Sequence, residues 1–228
     1  MKKGYRHEYK YLISGAASRL LKSRLRAFMR PDSHAGPTGQ YTIRSLYFDD
    51  PCAAAYEEKM SGIKERTKYR IRYYNYDPSV IRLERKEKHG NLTKKTGQTI
   101  STADAQVLTD HGMTELTGLA EELRQRCLLE GFRPKCLVDY DRTAFVCADG
   151  NTRITLDENL RTRPFDTRLF ASGQAMIPVL EPDQVILEVK FDEILPGYIK
   201  NILTKQELIQ SAFSKYYLGR MTLQNYTR

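Results

Sequence analysis

The sequence predicts an α+β fold in which strands dominate and helices are inserted between them. Three observations carry this. Over Arg66–Tyr73, basic residues (Arg66, Lys68, Arg70, Arg72) alternate strictly with Thr67, Tyr69, Ile71 and Tyr73, which is the two-residue period of a strand. Three segments repeat Glu-x-Lys in apolar or aromatic surroundings with no helical period: Glu8-Tyr9-Lys10, Glu84-Arg85-Lys86 and Glu188-Val189-Lys190. On a strand each sets a carboxylate and an ammonium side by side. Ala148-Asp149-Gly150-Asn151, between two strand-like runs, is a hairpin signal.

The elements follow in order. Residues 5–13 read as a strand ending at Ser14, which caps a helix with apolar Leu20, Leu21, Leu25 and Phe28, expected to be core. Residues 31–39 are a loop, 41–49 a strand, and Asp50-Pro51 opens a short helix. Strands at 64–76 and 80–88 flank a turn at Tyr76-Asp77-Pro78-Ser79. A strand at 92–100 leads to Ser101, which caps a helix from 102; a second helix covers Leu116–Leu129. Strands return at 135–147 and 152–157, residues 160–183 are irregular, and a strand at 184–192 precedes Pro196-Gly197 and one or two helices.

Composition bounds the function. The 228 residues show no compositional break and suit a single domain, 1–228. A net charge of +9 implies an anionic partner: nucleic acid, nucleotide, polyphosphate or a membrane surface. Cys52, Cys127, Cys136 and Cys147 have no zinc-ligand spacing and read as free thiols of a reducing compartment. His7, His34, His89 and His111 lack the pairing of a ligand or catalytic base. Neither a signal peptide nor a membrane-spanning stretch is visible, so a cytoplasmic protein is expected. No GxxxxGK[ST] or GxGxxG occurs.

The polar strand faces are ordered: Arg82, Glu84, Lys86 and Lys88 on one strand, Glu188, Lys190 and Asp192 on another. Ile81 and Leu83, and Val185, Leu187, Val189 and Phe191, take the opposite faces. Two architectures fit: a half-buried sheet with a charged outer face, or a closed barrel with a polar interior and covering helices.

Seven motifs in order now matter: Arg6-His7-Glu8-Tyr9-Lys10-Tyr11, Arg44-Ser45-Leu46-Tyr47-Phe48-Asp49, Arg70-Ile71-Arg72, Leu83-Glu84-Arg85-Lys86, Tyr140-Asp141-Arg142-Thr143-Ala144-Phe145, Leu187-Glu188-Val189-Lys190-Phe191 and Ser214-Lys215-Tyr216. In order and spacing the chain resembles the VTC-type polyphosphate polymerase domain of the triphosphate tunnel metalloenzyme (CYTH-like) superfamily. The resemblance implies an antiparallel β-barrel, a tunnel lined by Lys, Arg and Glu. It also implies transfer of the γ-phosphoryl group of ATP to a growing polyphosphate chain, assisted by a divalent cation, Mn²⁺ or Mg²⁺.

By position it assigns phosphate contacts to Lys10, Arg70, Arg72, Lys86, Lys95 (with Lys94 as a rival), Arg142 and Arg153. Lys190 belongs to the same set, Tyr140 matches a tunnel tyrosine, and Ser214 and Lys215 match a terminal phosphate contact. Glu188 is the implied metal ligand, with Glu8 and Glu84 as supporting acids. The chemistry agrees, since phosphoryl transfer needs positioning and charge neutralisation, and arginine forks grip phosphate oxygens in pairs. Arg6 stands where the superfamily's ExExK has its first glutamate, which favours the polymerase branch. Ala212 and Gly97 stand where basic residues are common. The competing readings are a tripolyphosphatase of the same fold, a non-catalytic polyphosphate- or nucleotide-binding module, and a nucleic-acid-binding module. The last leaves the paired glutamates unexplained, so neither nucleic acid nor membrane insertion is expected.

Overall fold

The computed structural model describes residues 6–63, 65–89, 92–110, 112, 114–163, 166–171, 173, 175–204, 208, 210 and 213–226, apart from the side chains of Lys59 and Leu92. The elements, in chain order, are β1 (His7–Ser14), α1 (Gly15–Arg26), β2 (Arg30–Pro31), β3 (Gln40–Asp49), α2 (Ala54–Met60), β4 (Glu65–Tyr74), β5 (Asp77–His89) and β6 (Leu92–Ile100). They continue with α3 (Thr102–Asp110), α4 (Gly118–Leu129), β7 (Arg133–Cys147), β8 (Thr152–Thr162), β9 (Ile177–Pro178), β10 (Gln184–Phe191), α5 (Gly197–Thr204) and α6 (Lys215–Tyr226).

The strands form one sheet in the order β1-β10-β8-β7-β3-β4-β5-β6, with β2 beside β7 and β9 beside β8. Pairing is antiparallel in β1–β10, β10–β8, β3–β4, β4–β5 and β5–β6. The path ends at β1 and β6, and no ladder joins these two among the described residues. The hydrogen-bonded path is therefore open rather than the closed barrel the resemblance implies. On β1 an isolated antiparallel bridge, Tyr11 to Gln210, is the additional partner.

The chain packs as two compact units. One comprises Met1–Thr42, Tyr140–Leu160 and Pro178–Ser214; the other Ile43–Asp139, Arg161–Ile177 and Lys215–Arg228. In the first unit, Ile13 of β1, Ile154 and Leu156 of β8, and Val185, Leu187, Val189 and Phe191 of β10 form a core with Leu21 and Leu25 of α1 and Ile199 of α5. In the second, Tyr69, Ile71 and Tyr73 of β4 and Ile81 and Leu83 of β5 pack with Ala105 and Leu108 of α3 and Leu119 and Leu123 of α4. Each fully buried aliphatic side chain contributes about 1.5–3 kcal/mol relative to exposure.

Several local expectations hold. Ser14 Oγ accepts the Ala17 N–H at 3.2 Å and starts α1. Ser101 and Asp104 exchange two 3.0 Å bonds as a capping box at α3. Other expectations need correction. In α1 only Leu21 and Leu25 of the four apolar positions are core, while Leu20 and Phe28 are exposed. The β4–β5 turn is Asn75-Tyr76, both at positive φ (51° and 57°), two residues earlier than the Asp-Pro signal suggested. Pro78 then sits in β5 before its ladder with β6 begins at Ile81, where no N–H is missed. Helix α2 begins at Ala54 rather than Pro51, because Asp50 Oδ1 accepts the Ala54 N–H at 3.0 Å. Strand β8 runs on to Thr162, and Ile177–Pro178 forms β9 inside the stretch expected to be irregular.

Candidate functional site

In the second unit the two-residue period brings like charges together on one face. The β4–β5 register sets Arg66 opposite Lys88, Lys68 opposite Lys86, Arg70 opposite Glu84 and Arg72 opposite Arg82. The β5–β6 register adds Lys95 opposite Lys86 and Gly97 opposite Glu84. Between Arg66–Arg72, Arg82–Lys88 and Thr93–Thr99 this face carries the cations Arg66, Lys68, Arg70, Arg72, Arg82, Lys86, Lys88 and Lys95, and one acid, Glu84. From Arg66 to Arg72 it spans about 20 Å at roughly 3.4 Å per residue. Every one of these side chains on β4 and β5 is half-buried or buried. On β4 and β5 the charged face is thus partly withdrawn from solvent.

Glu84 is the hub. Its carboxylate, 2 % exposed, lies 2.7 Å from Arg70 Nη2, 2.8 Å from Arg72 Nη2 and 2.6 Å from Lys95 Nζ. Burial raises its pKa, but the charges of Arg70, Arg72 and Lys95 outweigh burial and hold the carboxyl well below the usual range. One acid cannot satisfy three cations. Desolvation first, then the charges of Arg72 and Arg70, push the Lys95 ammonium down to about 8 against the pull of Glu84. The expected side-by-side pair Glu84–Lys86 is not what forms, because Arg70 stands directly across the ladder and Glu84 turns to it. Lys86 lies on the same face, between Lys68 and Lys95 in register.

In the first unit the pairing is closer to one for one. Lys10 Nζ lies 2.9 Å from Glu8 Oε1 and 3.2 Å from Glu188 Oε2, and donates to Phe213 O at 3.2 Å. Burial disfavours its charge, but Glu188 and Glu8 prevail and raise its pKa. Lys190 also pairs with Glu188. Arg142 grips Asp157 with Nε at 2.6 Å and Nη2 at 2.7 Å, and its guanidinium lies 5.2 Å from the Tyr140 ring centroid. Arg153 pairs with Asp32, whose other contacts include the Tyr41 hydroxyl at 3.1 Å. Ser214 directly precedes α6 and Lys215 is its first residue. Asp32 and Asp157 were not singled out from the sequence; a short acid on β8 at two-residue spacing from Arg153 and Thr155 was the available signal for Asp157.

A divalent cation requires hard oxygen donors. Glu8 and Glu188 supply them on either side of one ammonium, although the described residues contain no group of three His, Cys, Asp or Glu side chains arranged for a metal. Two carboxylates suit a cation that takes its remaining ligands from phosphate oxygens and water.

A family model of the VTC domain matches residues 5–224. The chain belongs to the VTC domain family. No curated protein matches the sequence. Among solved structures, the VTC domain here is similar to a candidate adenylate cyclase from Bacillus halodurans at 16% identity and TM-score 0.57, over 94% of this chain and 96% of that one. It is also similar to a candidate adenylyl cyclase from Hippeastrum described as having a dominant triphosphatase activity, at 16% identity and TM-score 0.53, over 95% and 96%. A Pyrococcus horikoshii protein matches at 14% identity and TM-score 0.50, over 96% and 99%. These likenesses show a shared fold.

Departures from the family pattern can now be located. Arg6 pairs with Asp192 at 2.9 Å. At Gly97 an added Cβ would come within 3.1 Å of Arg82 Nη2, so a larger residue there must displace a cation of the face. Ala212 and His111 lie outside the described residues.

Proposed function

We propose that this VTC domain is an ATP-dependent polyphosphate polymerase that binds a phosphate chain and moves the γ-phosphoryl group of ATP onto it. The single observation that carries the reading is the cation face of β4–β6, eight basic side chains around Glu84, half-buried on β4 and β5. Like charges held this close destabilise the sheet, and a bound polyanion of closely spaced charges would relieve that repulsion. Family membership narrows that anion to polyphosphate or triphosphate.

In this reading Arg70, Arg72, Lys86 and Lys95 contact phosphate oxygens. In the first unit the reading assigns phosphate contacts to Lys10, Tyr140, Arg142, Arg153, Lys190 and Ser214, and in the second also to Lys215. A divalent cation, Mn²⁺ or Mg²⁺, held by Glu188 with support from Glu8, supplies Lewis-acid charge neutralisation. Arg70 and Arg72 act where charge collects on the transferring group, and Glu84 keeps both forks aimed before the substrate arrives. Among the described residues no helix is long and apolar enough to cross a membrane.

The test is purified protein with ATP and Mn²⁺, resolved on a gel that displays polyphosphate ladders. A ladder with ADP release is expected. Arg70→Ala and Arg72→Ala each lower kcat/KM by about 30- to 900-fold, equivalent to about 2–4 kcal/mol of transition-state stabilisation. Free phosphate without a ladder identifies a tripolyphosphatase instead, and binding without turnover a binding module. Unchanged turnover in both variants removes the cation face from the site.

A further inference from the structure

Besides its charges, the cation face involves two aromatic rings that the function above does not use. Tyr47 lies directly opposite Arg70 in the β3–β4 register, and Arg70 Nη1 donates to its hydroxyl at 3.2 Å. The Arg70 fork also reaches Glu84, with Nε at 2.8 Å and Nη2 at 2.7 Å. Tyr47 thus fixes the side of the guanidinium that Glu84 does not reach. Tyr216, in the first turn of α6 and 1 % exposed, packs on Tyr47 with ring centroids 5.4 Å apart. Lys68 Nζ stands 5.1 Å from the Tyr216 centroid.

Tyr216 is itself anchored. Its hydroxyl donates to Asp49 Oδ2 at 2.5 Å, and Asp49 Oδ1 accepts the N–H groups of Asp50 and Ala55, each at 3.0 Å. Asp49 is wholly buried, so backbone fixes the carboxylate and the carboxylate fixes the ring.

We propose that Tyr47 and Tyr216, anchored through Asp49, are positioning residues that hold Arg70 and Lys68 in place for a phosphate chain. The inference rests on the anion-binding reading of this face. The physical reason is that a neutral partner adds order to a cation without offsetting its charge. Long cationic side chains at two-residue spacing repel and scatter over rotamers, which weakens a ligand that must meet several of them at once. A carboxylate, as Glu84 does beside Arg70, orders a cation but offsets part of the charge the ligand needs. An aromatic face or a phenol oxygen attracts the cation and leaves its charge intact.

The experiment is a double-mutant cycle on tripolyphosphate affinity, measured by calorimetry on wild type, Tyr47→Phe, Arg70→Ala and the double variant. Tyr47→Phe keeps the ring and removes one oxygen, so folding is preserved. It is expected to weaken tripolyphosphate by about fivefold, and by less than about twofold when Arg70 is already alanine. Tyr216→Leu is expected to weaken binding by a similar factor, whereas Tyr216→Phe, which keeps the ring beside Lys68, restores most of it. Wild-type affinity in Tyr47→Phe, or an equal loss in both Arg70 backgrounds, overturns the positioning role. If wild type binds tripolyphosphate and Arg70→Ala weakens it without coupling to Tyr47, this inference alone falls. If wild type does not bind tripolyphosphate, the anion-binding reading falls with it.

Discussion

Glu84→Gln isolates what one carboxylate does among three cations. The substitution keeps the shape of the side chain and removes its charge from within 2.8 Å of Arg70, Arg72 and Lys95. At that distance and an effective dielectric near 20, each attraction is about 6 kcal/mol gross, and mutual repulsion of the cations and desolvation of the acid cancel most of the sum. The net cost of removing one partner of a buried ion cluster is about 3–5 kcal/mol. For a chain of this size that lowers the thermal midpoint by about 6–20 °C. The assay is thermal unfolding followed by far-ultraviolet dichroism, with and without tripolyphosphate. The deficit is expected to shrink when tripolyphosphate is added, because the ligand replaces the lost negative charge and binds only the folded state. The pH dependence has a definite sign. Glu84 has a folded pKa below its unfolded value of 4.5, so its stabilisation is present above about pH 4.5 and is lost as the pH falls below that; the glutamine variant lacks this component. A variant within about 1 kcal/mol of wild type, unaffected by tripolyphosphate, would refute the account of Glu84 as the hub of the face.

Lys95, at about 8 in the folded chain against 10.5 ordinarily, is partly neutral near pH 8.5, and a bound polyanion favours its charged form. Tripolyphosphate binding at pH 8.5 should therefore take up a fraction of a proton, read as a dependence of binding heat on buffer ionisation enthalpy and abolished in Lys95→Met. Between pH 8 and 10.5 the unfolded state binds more protons at this residue, so its contribution to stability rises with pH there. Arg142→Lys loses the bidentate grip on Asp157, both groups being buried, and is expected to destabilise by about 2–4 kcal/mol in urea titration. Glu188→Gln should raise the Mn²⁺ concentration needed for half-maximal activity on the order of tenfold, while metal-free tripolyphosphate binding is retained.

Much of the fold could be read because strand alternation is a local property. Tyr69, Ile71 and Tyr73 were legible as a buried face and Arg66 to Arg72 as a polar one from their spacing alone, and both are where the period puts them. The errors fall where a second element decides. Leu20 and Phe28 have the spacing of an apolar stripe, yet only Leu21 and Leu25 meet β10 and α5 partners in the core. Asp77-Pro78 is the stronger turn dipeptide, but Asn75 and Tyr76 adopt the positive φ values a tight hairpin requires. The partners of Glu84 were not legible at all. Sequence proximity suggests Lys86, whereas the ladder puts Arg70 opposite and Lys95 within reach from the next strand, and register across three strands is a tertiary property. Tyr47 was hidden for a related reason: in Ser45-Leu46-Tyr47-Phe48 it reads as one more core aromatic, and only its register with Arg70 reveals the polar face.

The two units treat charge differently, and the difference bears on which side chains meet a ligand with charge to spare. In the first, Arg142 has Asp157, Arg153 has Asp32, Lys190 has Glu188, and Lys10 sits between Glu8 and Glu188. A phosphate approaching these residues competes with carboxylates already at hydrogen-bond distance, and each such bond must be exchanged rather than simply added. In the second, Glu84 is shared by Arg70, Arg72 and Lys95. A phosphate arriving there relieves repulsion as well as making bonds, so its binding energy is larger per contact. It follows that alanine substitutions at Arg70, Arg72 and Lys95 should weaken tripolyphosphate more than substitutions at Arg142 or Arg153, which should act mainly on stability. Equal losses of affinity across the two sets would show that the carboxylates of the first unit release their partners to the ligand, and that the surplus on β4–β6 is not what selects a polyanion.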